Sequence, residues 1–355
     1  MVQKRVAIID RELCRPELTG YACMKACPVN RAGKDCIVTA EDKKVLINEG
    51  LCIGCGICIK KCTQDAIKVV NLPEKLDEEP IHRYGKNLFI LFRLPIPKAN
   101  TIVGLVGQNG MGKTTLLNIL SGTLRPNTGL LEEEASWDAV IDRFRGTELQ
   151  GYLEALARNG IKAAYKPQHV DEIPKLWKGS VRARLEKLGS LEDVAKKLGL
   201  EAMLDKDIAG LSGGELQLLA VAATILKPAD FYFFDEPSSY LDVKERLLVA
   251  KEIRALARKA RVMVVEHDLA VADYLADTTH ILYGHPGVFG IVSNPYGVRV
   301  GINTYLDGYI REENVRFRTE PIVFEKRAKL SEKRGLFLEF PGLKKAFKGF
   351  SLETS

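Results

Sequence analysis

The chain has 355 residues, of which 46% are hydrophobic and 28% charged, with a formal net charge of +6. This length allows two or three domains, and the composition is that of an ordinary soluble globular protein. No apolar run approaches the roughly 18 residues of a membrane span, and the N-terminus lacks the apolar core of a secretory signal. We therefore expect a cytoplasmic protein without a membrane segment. Its mild positive charge permits nucleic-acid binding without requiring it.

The eight cysteines all lie between Cys14 and Cys62. Their C-x-x-C steps are too tight for ordinary disulfides, so they predict metal or cluster ligands in a reducing compartment. The second of two runs, LCIGCGICIKKC, has the C-x₂-C-x₂-C-x₃-C spacing of a 4Fe–4S site. Zinc is the rival ligand for such cysteines, but three at this pitch favour a cluster. The ligands of this run are Cys52, Cys55, Cys58 and Cys62.

The first run contributes Cys14, Cys23, Cys27 and Cys36, and it includes a C-x₃-C-P segment. In two-cluster ferredoxins the last cysteine of such a segment ligates the other cluster. This exchange assigns Cys27 to the cluster of Cys52, Cys55 and Cys58. The other cluster then receives Cys14, Cys23 and Cys62 and is one ligand short. Cys36 is either that ligand or a buried apolar residue. The flanking VAIID and AIKVV segments predict short strands.

A glycine-rich loop follows in NTIVGLVGQNGMGKTTLLNILSG, between a predicted strand and a predicted helix. The sequence fits G-x-x-x-x-G-K-[ST], in which loop amides at a helix N-terminus bind phosphates. Lys113 would reach the β- and γ-phosphates, and Thr114 would coordinate Mg²⁺. The candidate phosphate-binding residues are Gly107, Asn109, Gly110, Gly112, Lys113, Thr114 and Thr115.

A second candidate site element is FYFFDEPSSYLD, where four aromatic residues predict a buried parallel strand. Ligand sites of α/β proteins lie at the carboxyl ends of such strands. Asp235 would hold Mg²⁺ through water, and Glu236 would polarise the attacking water. Upstream, in LSGGELQ, Ser212, Gly213 and Gly214 open a helix and offer a second set of amides.

An LSGGE segment between a phosphate loop and a D-E-P strand resembles the ATP-binding-cassette superfamily. The resemblance implies that Ser212 completes the nucleotide site of an opposite cassette in a head-to-tail dimer. It identifies Gln168 in KPQHVD as a ligand of Mg²⁺ and water, and Asp242 in SSYLD as the D-loop aspartate. By the same resemblance His267 in VVVEHDLA is the switch histidine that contacts the γ-phosphate.

The cysteine runs together with HRYGKN, FRGTELQ, DEPSSYLDV and VEHDLAVADYL resemble the E subfamily of these proteins. Its members are the ribosome-recycling ATPases of archaea and eukaryotes. The resemblance implies an α/β cassette preceded by a ferredoxin-like α+β domain with two 4Fe–4S clusters, and it places Tyr84 and Phe89 beside the adenine. It also implies the following segments: iron–sulfur domain 1–72, cassette 76–290 with a helix–loop–helix insertion near 144–160, hinge 291–325, and the start of a truncated second cassette or a tail at 326–355.

The function implied is the splitting of ribosomes after termination or rescue, with ATP-driven cassette closure moving the iron–sulfur domain. The expected partners are the small ribosomal subunit, ribosomal RNA, release factor or Pelota, and a second cassette. Arg299 and Arg316 are candidates for contacts with RNA phosphates, or solvated surface residues. The alternative function is a dicluster electron carrier with an ATPase gate.

The chain departs from the family pattern in four places. Thr19 stands where the family usually has a ligand cysteine, and Thr63 where proline usually follows the last cysteine. Leu218 and His169 replace an arginine and a tyrosine. Only one phosphate loop and one signature segment are present, so a complete site requires a second cassette. Whether that cassette belongs to the same full-length protein or to another chain stays open.

Overall fold

The computed structural model describes residues 5–73, 76, 78–131, 136–323, 342–347 and 350–353. Residues Met1–Pro321 form one compact unit and Ile322–Ser355 form a second. In the part of the chain that is described, no helix is long and apolar enough to cross a membrane.

The cysteine-rich region lies at the start of the first unit. Its strands β1 and β4 pair antiparallel, with Arg5 opposite Asn71 and Ile9 opposite Ile67, as the VAIID and AIKVV segments predicted. A second antiparallel pair, β2 with β3, lies between them in sequence. The elements are β1 (Arg5–Ile9), α1 (Ala22–Ala26), α2 (Pro28–Arg31), β2 (Ile37–Thr39), β3 (Val45–Ile47), α3 (Ile57–Lys61) and β4 (Ile67–Asn71).

The remainder of the first unit is built on a nine-stranded sheet. Its elements are β5 (His82–Arg83), β6 (Ile90–Phe92), β7 (Ile102–Gly107), α4 (Lys113–Leu120), α5 (Trp137–Arg143), α6 (Glu148–Asn159), β8 (Ala163–Lys166), α7 (Ile173–Leu176), α8 (Val181–Leu185), α9 (Leu191–Leu198), α10 (Gly213–Leu226), β9 (Phe231–Asp235), α11 (Val243–Leu256), β10 (Arg261–Val265), α12 (Leu269–Leu275), β11 (Thr278–His285), β12 (Phe289–Val292), β13 (Tyr296–Gly297), α13 (Val298–Asp307), β14 (Tyr309–Ile310) and β15 (Val315–Arg316).

The centre of this sheet is parallel, in the order β11-β7-β10-β9-β8. Helices cover both faces because alternate residues of a strand point to opposite sides. In β9, Tyr232 and Phe234 pack with α8–α11, whereas Phe231 and Phe233 pack with α4–α6. The predicted α/β cassette with a buried aromatic strand is thereby confirmed.

Strand β1 joins the cysteine-rich region to the cassette. Its Val6 and Ile8 pack against Phe92 and Ile291 of the sheet, while Ala7 and Ile9 face the cysteines. The two regions therefore share a continuous apolar contact within one compact unit.

Two predicted segments have different bounds in the structure. The predicted helix–loop–helix insertion begins at Trp137 rather than near residue 144. Ser136 caps its first helix, α5, by accepting the Ala139 N–H. The predicted hinge folds onto the cassette as far as β15, with Glu313 bridging to Arg93 at 2.7 Å. Most of the predicted start of a second cassette lies outside the described residues. The described part of the second unit is an antiparallel pair, β16 (Lys344–Phe347) with β17 (Phe350–Glu353).

Candidate active site and cysteine sites

The glycine-rich loop connects the end of β7 to the first residue of α4, as predicted. Gly112, with φ of +93°, caps this helix, and a Cβ there would lie 2.7 Å from the Phe89 ring. Only glycine therefore fits the turn between the loop and α4. The pocket at this helix N-terminus is lined by Tyr84, Phe89, Asn109, Gly110, Gly112, Lys113, Thr114, Thr115, Gln168, His169, Asp235 and Gly287.

The Lys113 ammonium lies inside this pocket. Its Nζ donates to Asn109 Oδ1 at 3.0 Å and lies 3.2 Å from His267 Nε2. Burial lowers the pKa of Lys113, against the opposing attraction of the Asp235 and Glu236 carboxylates. A buried cation with nearby donors of this kind suits an anionic phosphate ligand.

The Glu236 carboxylate is surrounded by polar side chains from distant parts of the sequence. Gln168 Nε2 donates to Glu236 Oε1 at 2.7 Å, and Ser239 Oγ donates to Oε2 at 3.1 Å. His267 Nε2 lies 3.0 Å from Oε1. That nitrogen can either donate to Glu236 or accept from Lys113, but not both. The structure thus brings together all three predicted catalytic residues.

Two buried side chains that we did not predict hold the backbone of this turn. Lys166 Nζ donates to the carbonyls of Asp235 and Glu236, at 2.8 and 3.1 Å. Gln217 Nε2 donates to the Glu236 carbonyl at 2.6 Å. Glu236 needs this support because its φ is +48°, a region unfavourable for a residue with a side chain. The sequence signal for this role was Lys166 of KPQ, a lysine at the buried last position of β8.

The Asp235 carboxylate fits a hydrated magnesium ion. The Tyr165 hydroxyl donates to its Oδ2 at 3.4 Å, while the buried Oδ1 has no hydrogen-bond partner among the described residues. Burial raises the pKa of Asp235, with Lys113 acting in the opposite direction. A nearby cation would satisfy Oδ1 and stabilise the ionised form. Thr114, in the first turn of α4, lines the same pocket.

The signature segment does not line this pocket. Ser212 caps α10 and forms a reciprocal capping pair with Glu215. Asp242 caps α11 in the same way through Glu245. A Cβ on Gly214 would lie 3.1 Å from the Tyr240 carbonyl, which accounts for glycine there. Ser212, Gly213, Gly214 and Asp242 therefore form a separate surface of the cassette.

Tyr84 and Phe89 both line the pocket, and the Tyr84 hydroxyl lies 3.1 Å from Thr115 Oγ1. Between them, the buried Asn87 side chain donates to the carbonyls of Ala7 and Ile47 at 2.9 and 3.0 Å. It also accepts the Ile47 N–H at 2.8 Å. One short segment thus contacts both the nucleotide pocket and the cysteine-rich region.

The cysteines separate into two sets. One set lines a small cavity and consists of Cys27, Cys36, Cys52, Cys55 and Cys58. Burial, together with the adjacent thiols of Cys27 and Cys52, raises the pKa of the Cys36 thiol to about 12. Cys36 therefore lies with Cys27, Cys52, Cys55 and Cys58, the four predicted ligands of one cluster, which we call the complete set. The fold places Cys36 beside Cys27 and Cys52, whereas the sequence had also allowed it to supply the ligand missing from the other set.

The other set consists of Cys14, Cys23 and Cys62. Burial raises the pKa of Cys23, and the nearby thiols of Cys62 and Cys14 add to this effect. The Ala66 N–H donates to Cys62 Sγ at 3.3 Å, an interaction that stabilises cluster ligands. Within the described ranges, no three His, Cys, Asp or Glu side chains converge on a single metal ion. Cys23 lies in α1, Cys62 ends α3, and Cys14 is near Cys23, so the three thiols suit the several irons of a cluster.

Glu266 provides a prediction about stability. Burial raises the pKa of this carboxyl to about 7, although the Ser238 N–H donates to it at 3.0 Å. The folded state thus binds the proton more tightly than the unfolded chain, so stability falls as pH rises from about 4.5 to about 7. Glu266→Gln should remove up to about 3 kcal/mol of this fall. Denaturant titrations at several pH values would measure it through Trp137 and Trp177, the two tryptophans, both in the cassette. Parallel pH curves for the two proteins would contradict the assignment.

Comparisons with known proteins agree with this geometry. A family model described as ABC transporter matches residues 96–239, and one described as a 4Fe-4S binding domain matches residues 45–68. An uncharacterised ABC transporter ATP-binding protein of Methanocaldococcus jannaschii is 50% identical over 357 residues, covering 99% of this chain and 59% of that protein. ABC transporter E family member 1 of Arabidopsis thaliana is 45% identical over 360 residues, covering 99% and 60%.

A solved structure described as a model of ribosome-bound archaeal Pelota and ABCE1 matches with a TM-score of 0.93 and 51% identity. The match covers 99% of this chain and 60% of that one. The chain therefore spans about 60% of the length of the relatives that it matches.

The parallel sheet, phosphate loop and Glu236 turn define an ATP-binding-cassette protein, and the chain belongs to that class. A 4Fe–4S domain precedes the cassette, and the similarity extends over nearly the whole chain. Within the class, the chain is a member of the E family. These relatives do not favour the alternative of an electron carrier with an ATPase gate.

Proposed function

We propose that this chain is the cluster-bearing cassette of an ATP-dependent ribosome-recycling factor. Cassette closure around ATP would move the iron–sulfur domain and so split ribosomes after termination or rescue. The observation that carries the ATPase part is the convergence of Gln168 and His267 on one carboxylate oxygen of Glu236, close to Lys113. The similarity to a ribosome-bound Pelota complex supports the ribosomal part.

Glu236 would act as the group that polarises the attacking water. Gln168 donates to the Glu236 carboxylate and holds it in place. The His267 ring, which lies within hydrogen-bonding distance of Lys113 and Glu236, would bond the γ-phosphate instead when ATP is bound. Magnesium, when bound, neutralises phosphate charge during transfer. Its ligands would be Thr114 and Gln168 directly and Asp235 through water.

ATP would bind through the loop amides and Lys113, with its adenine between Tyr84 and Phe89. The loop residues Gly107, Asn109, Gly110, Gly112 and Thr115 shape the phosphate site. The nucleotide site of a second cassette would be completed by Ser212, Gly213, Gly214 and Asp242, because these residues lie outside the nucleotide pocket of their own cassette.

The iron–sulfur domain would hold two clusters. Cys52, Cys55, Cys58 and Cys27 suit one, and Cys14, Cys23 and Cys62 contribute to the other. Because the region is small, the clusters would substitute for part of an apolar core and make it a stiff arm.

The proposed partners are the small ribosomal subunit with its RNA, release factor or Pelota, and a second cassette, which places the protein in the cytoplasm. The α5–α6 helix pair would contact the small subunit. Arg299 is 3.9 Å from Asp273 and its side chain is 87% exposed, so it is available to a phosphate. Arg316 is placed over the Tyr309 ring at 5.2 Å.

Co-sedimentation with purified small ribosomal subunits tests this proposal. With a second cassette supplied and a non-hydrolysable ATP analogue present, the chain should pellet with the subunits. Lys113→Ala should abolish the nucleotide-dependent fraction because the phosphate loses its buried cation. Lys187→Ala, on the exposed surface, is the matched control and should behave as wild type. Absence of wild-type chain from the pellet would contradict the proposal.

A further inference from the structure

The two cysteine runs form an internal repeat that is incomplete on one side. Helices α1 and α3 pack together, and each carries a buried cysteine at its second position, Cys23 and Cys58. Each helix ends at a cysteine in extended conformation, Cys27 and Cys62. Each begins after a residue in left-handed conformation, Tyr21 with φ of +59° and Gly56 with φ of +71°.

This repeat locates the position of a missing ligand. Cys55 lies three residues before Cys58, and its counterpart, three residues before Cys23, is Gly20. The neighbouring Thr19 is the residue there that carries a side chain. Thr19 ends a short 3₁₀ turn, Pro16–Thr19, and its hydroxyl donates to the Pro16 carbonyl at 3.1 Å. A neutral hydroxyl engaged in this way is a poor substitute for a thiolate as an iron ligand.

No other cysteine can complete the set. Cys36 is 1% exposed, lies beside Cys27 and Cys52, and has its sulfur 3.9 Å from the Asn48 carbonyl. The remaining cysteines line the cavity of the complete set. Eight thiols are thus divided five to three, although two cubanes need four each.

We propose that the site of Cys14, Cys23 and Cys62 binds its cluster through three thiolates, leaving one corner iron without a cysteine ligand. The inference rests on the proposed second cluster. An iron without a thiolate is the one most readily lost. A one-electron oxidant such as ferricyanide would take one electron from a 4Fe–4S cluster in its 2+ state. The products are one Fe²⁺ ion and a 3Fe–4S cluster in its 1+ state, so charge and iron balance.

The test is iron and sulfide analysis with EPR spectroscopy on the anaerobically purified chain, before and after mild ferricyanide oxidation. Wild type should fall from about eight to about seven irons per chain and gain the signal of an oxidised three-iron cluster. Thr19→Cys should retain all its iron and lack that signal. Leu18→Cys adds a thiol to the same turn at a side chain 72% exposed, so it should behave as wild type.

The outcomes separate this inference from the proposed pair of clusters. About four irons per chain before oxidation, with no three-iron signal afterwards, would mean that the second cluster does not exist. About eight irons retained by the oxidised wild type would show a complete ligand set, which overturns the inference but leaves both clusters standing. A three-iron signal that persists in Thr19→Cys would overturn the placement of the missing ligand.

Discussion

Glu236→Gln should slow ATP hydrolysis by roughly 10²- to 10⁴-fold, the usual contribution of a group that assists proton transfer. A glutamine amide keeps the size of the carboxylate and can still bond Gln168 and Ser239, but it cannot take a proton from water. ATP affinity should therefore change little. Steady-state turnover, measured with a second cassette present, and equilibrium nucleotide binding to the chain would separate the two effects.

The matched control for this variant is Glu172→Gln, another exchange of glutamate for glutamine. Glu172 is exposed and paired with Lys175 at 2.7 Å, away from the pocket. It should leave turnover unchanged. If Glu236→Gln hydrolyses ATP at the wild-type rate, Glu236 does not polarise the water.

Asn87→Gly should loosen the cysteine-rich region from the cassette. The change removes three buried hydrogen bonds to Ala7 and Ile47 while tolerating the native φ of +58°. The unpaired backbone groups that remain should cost about 3 kcal/mol after relaxation. Hydrogen exchange of the Ile47 amide should accelerate about 100-fold, since every 1.4 kcal/mol corresponds to about a factor of ten.

The Ile9 amide is an internal reference for this experiment, because its bond is to the backbone carbonyl of residue 87 at 2.9 Å. It should accelerate less than Ile47. Asn100→Gly is the matched variant, since Asn100 also has a positive φ, +57°, but lies in an exposed turn. Equal exchange of Ile47 in Asn87→Gly and wild type would show that the side chain does not secure the junction.

The parts of the site that the sequence predicts are motifs whose residues lie close together along the chain. The phosphate loop, the D-E-P turn and the C-x₂-C-x₂-C run each place their ligands within one continuous segment. Their chemistry restricts the residue types so strongly that the pattern alone indicates the fold. Gln168 and His267 were identified through resemblance, and the structure brings both to Glu236 at hydrogen-bonding distance.

The missed residues are those whose role is to hold backbone. Lys166 reaches carbonyls 69 and 70 residues away, and Gln217 reaches one 19 residues away. Each side chain is fully buried, and a lysine or glutamine in such a place has no local sequence pattern. Their partners are peptide carbonyls, which every residue possesses.

By itself, the sequence determined the cassette and the iron–sulfur region, and it left open whether Cys36 completes the second cluster. These follow from residue types, local spacing and the number of cysteines. Only the tertiary structure decided that Cys36 lies with the complete set, and that Asn87 joins the two regions across 80 residues of sequence. The physical reason is that a buried thiol or amide is positioned by the packing of strands and helices around it, and distance along the chain does not encode that packing.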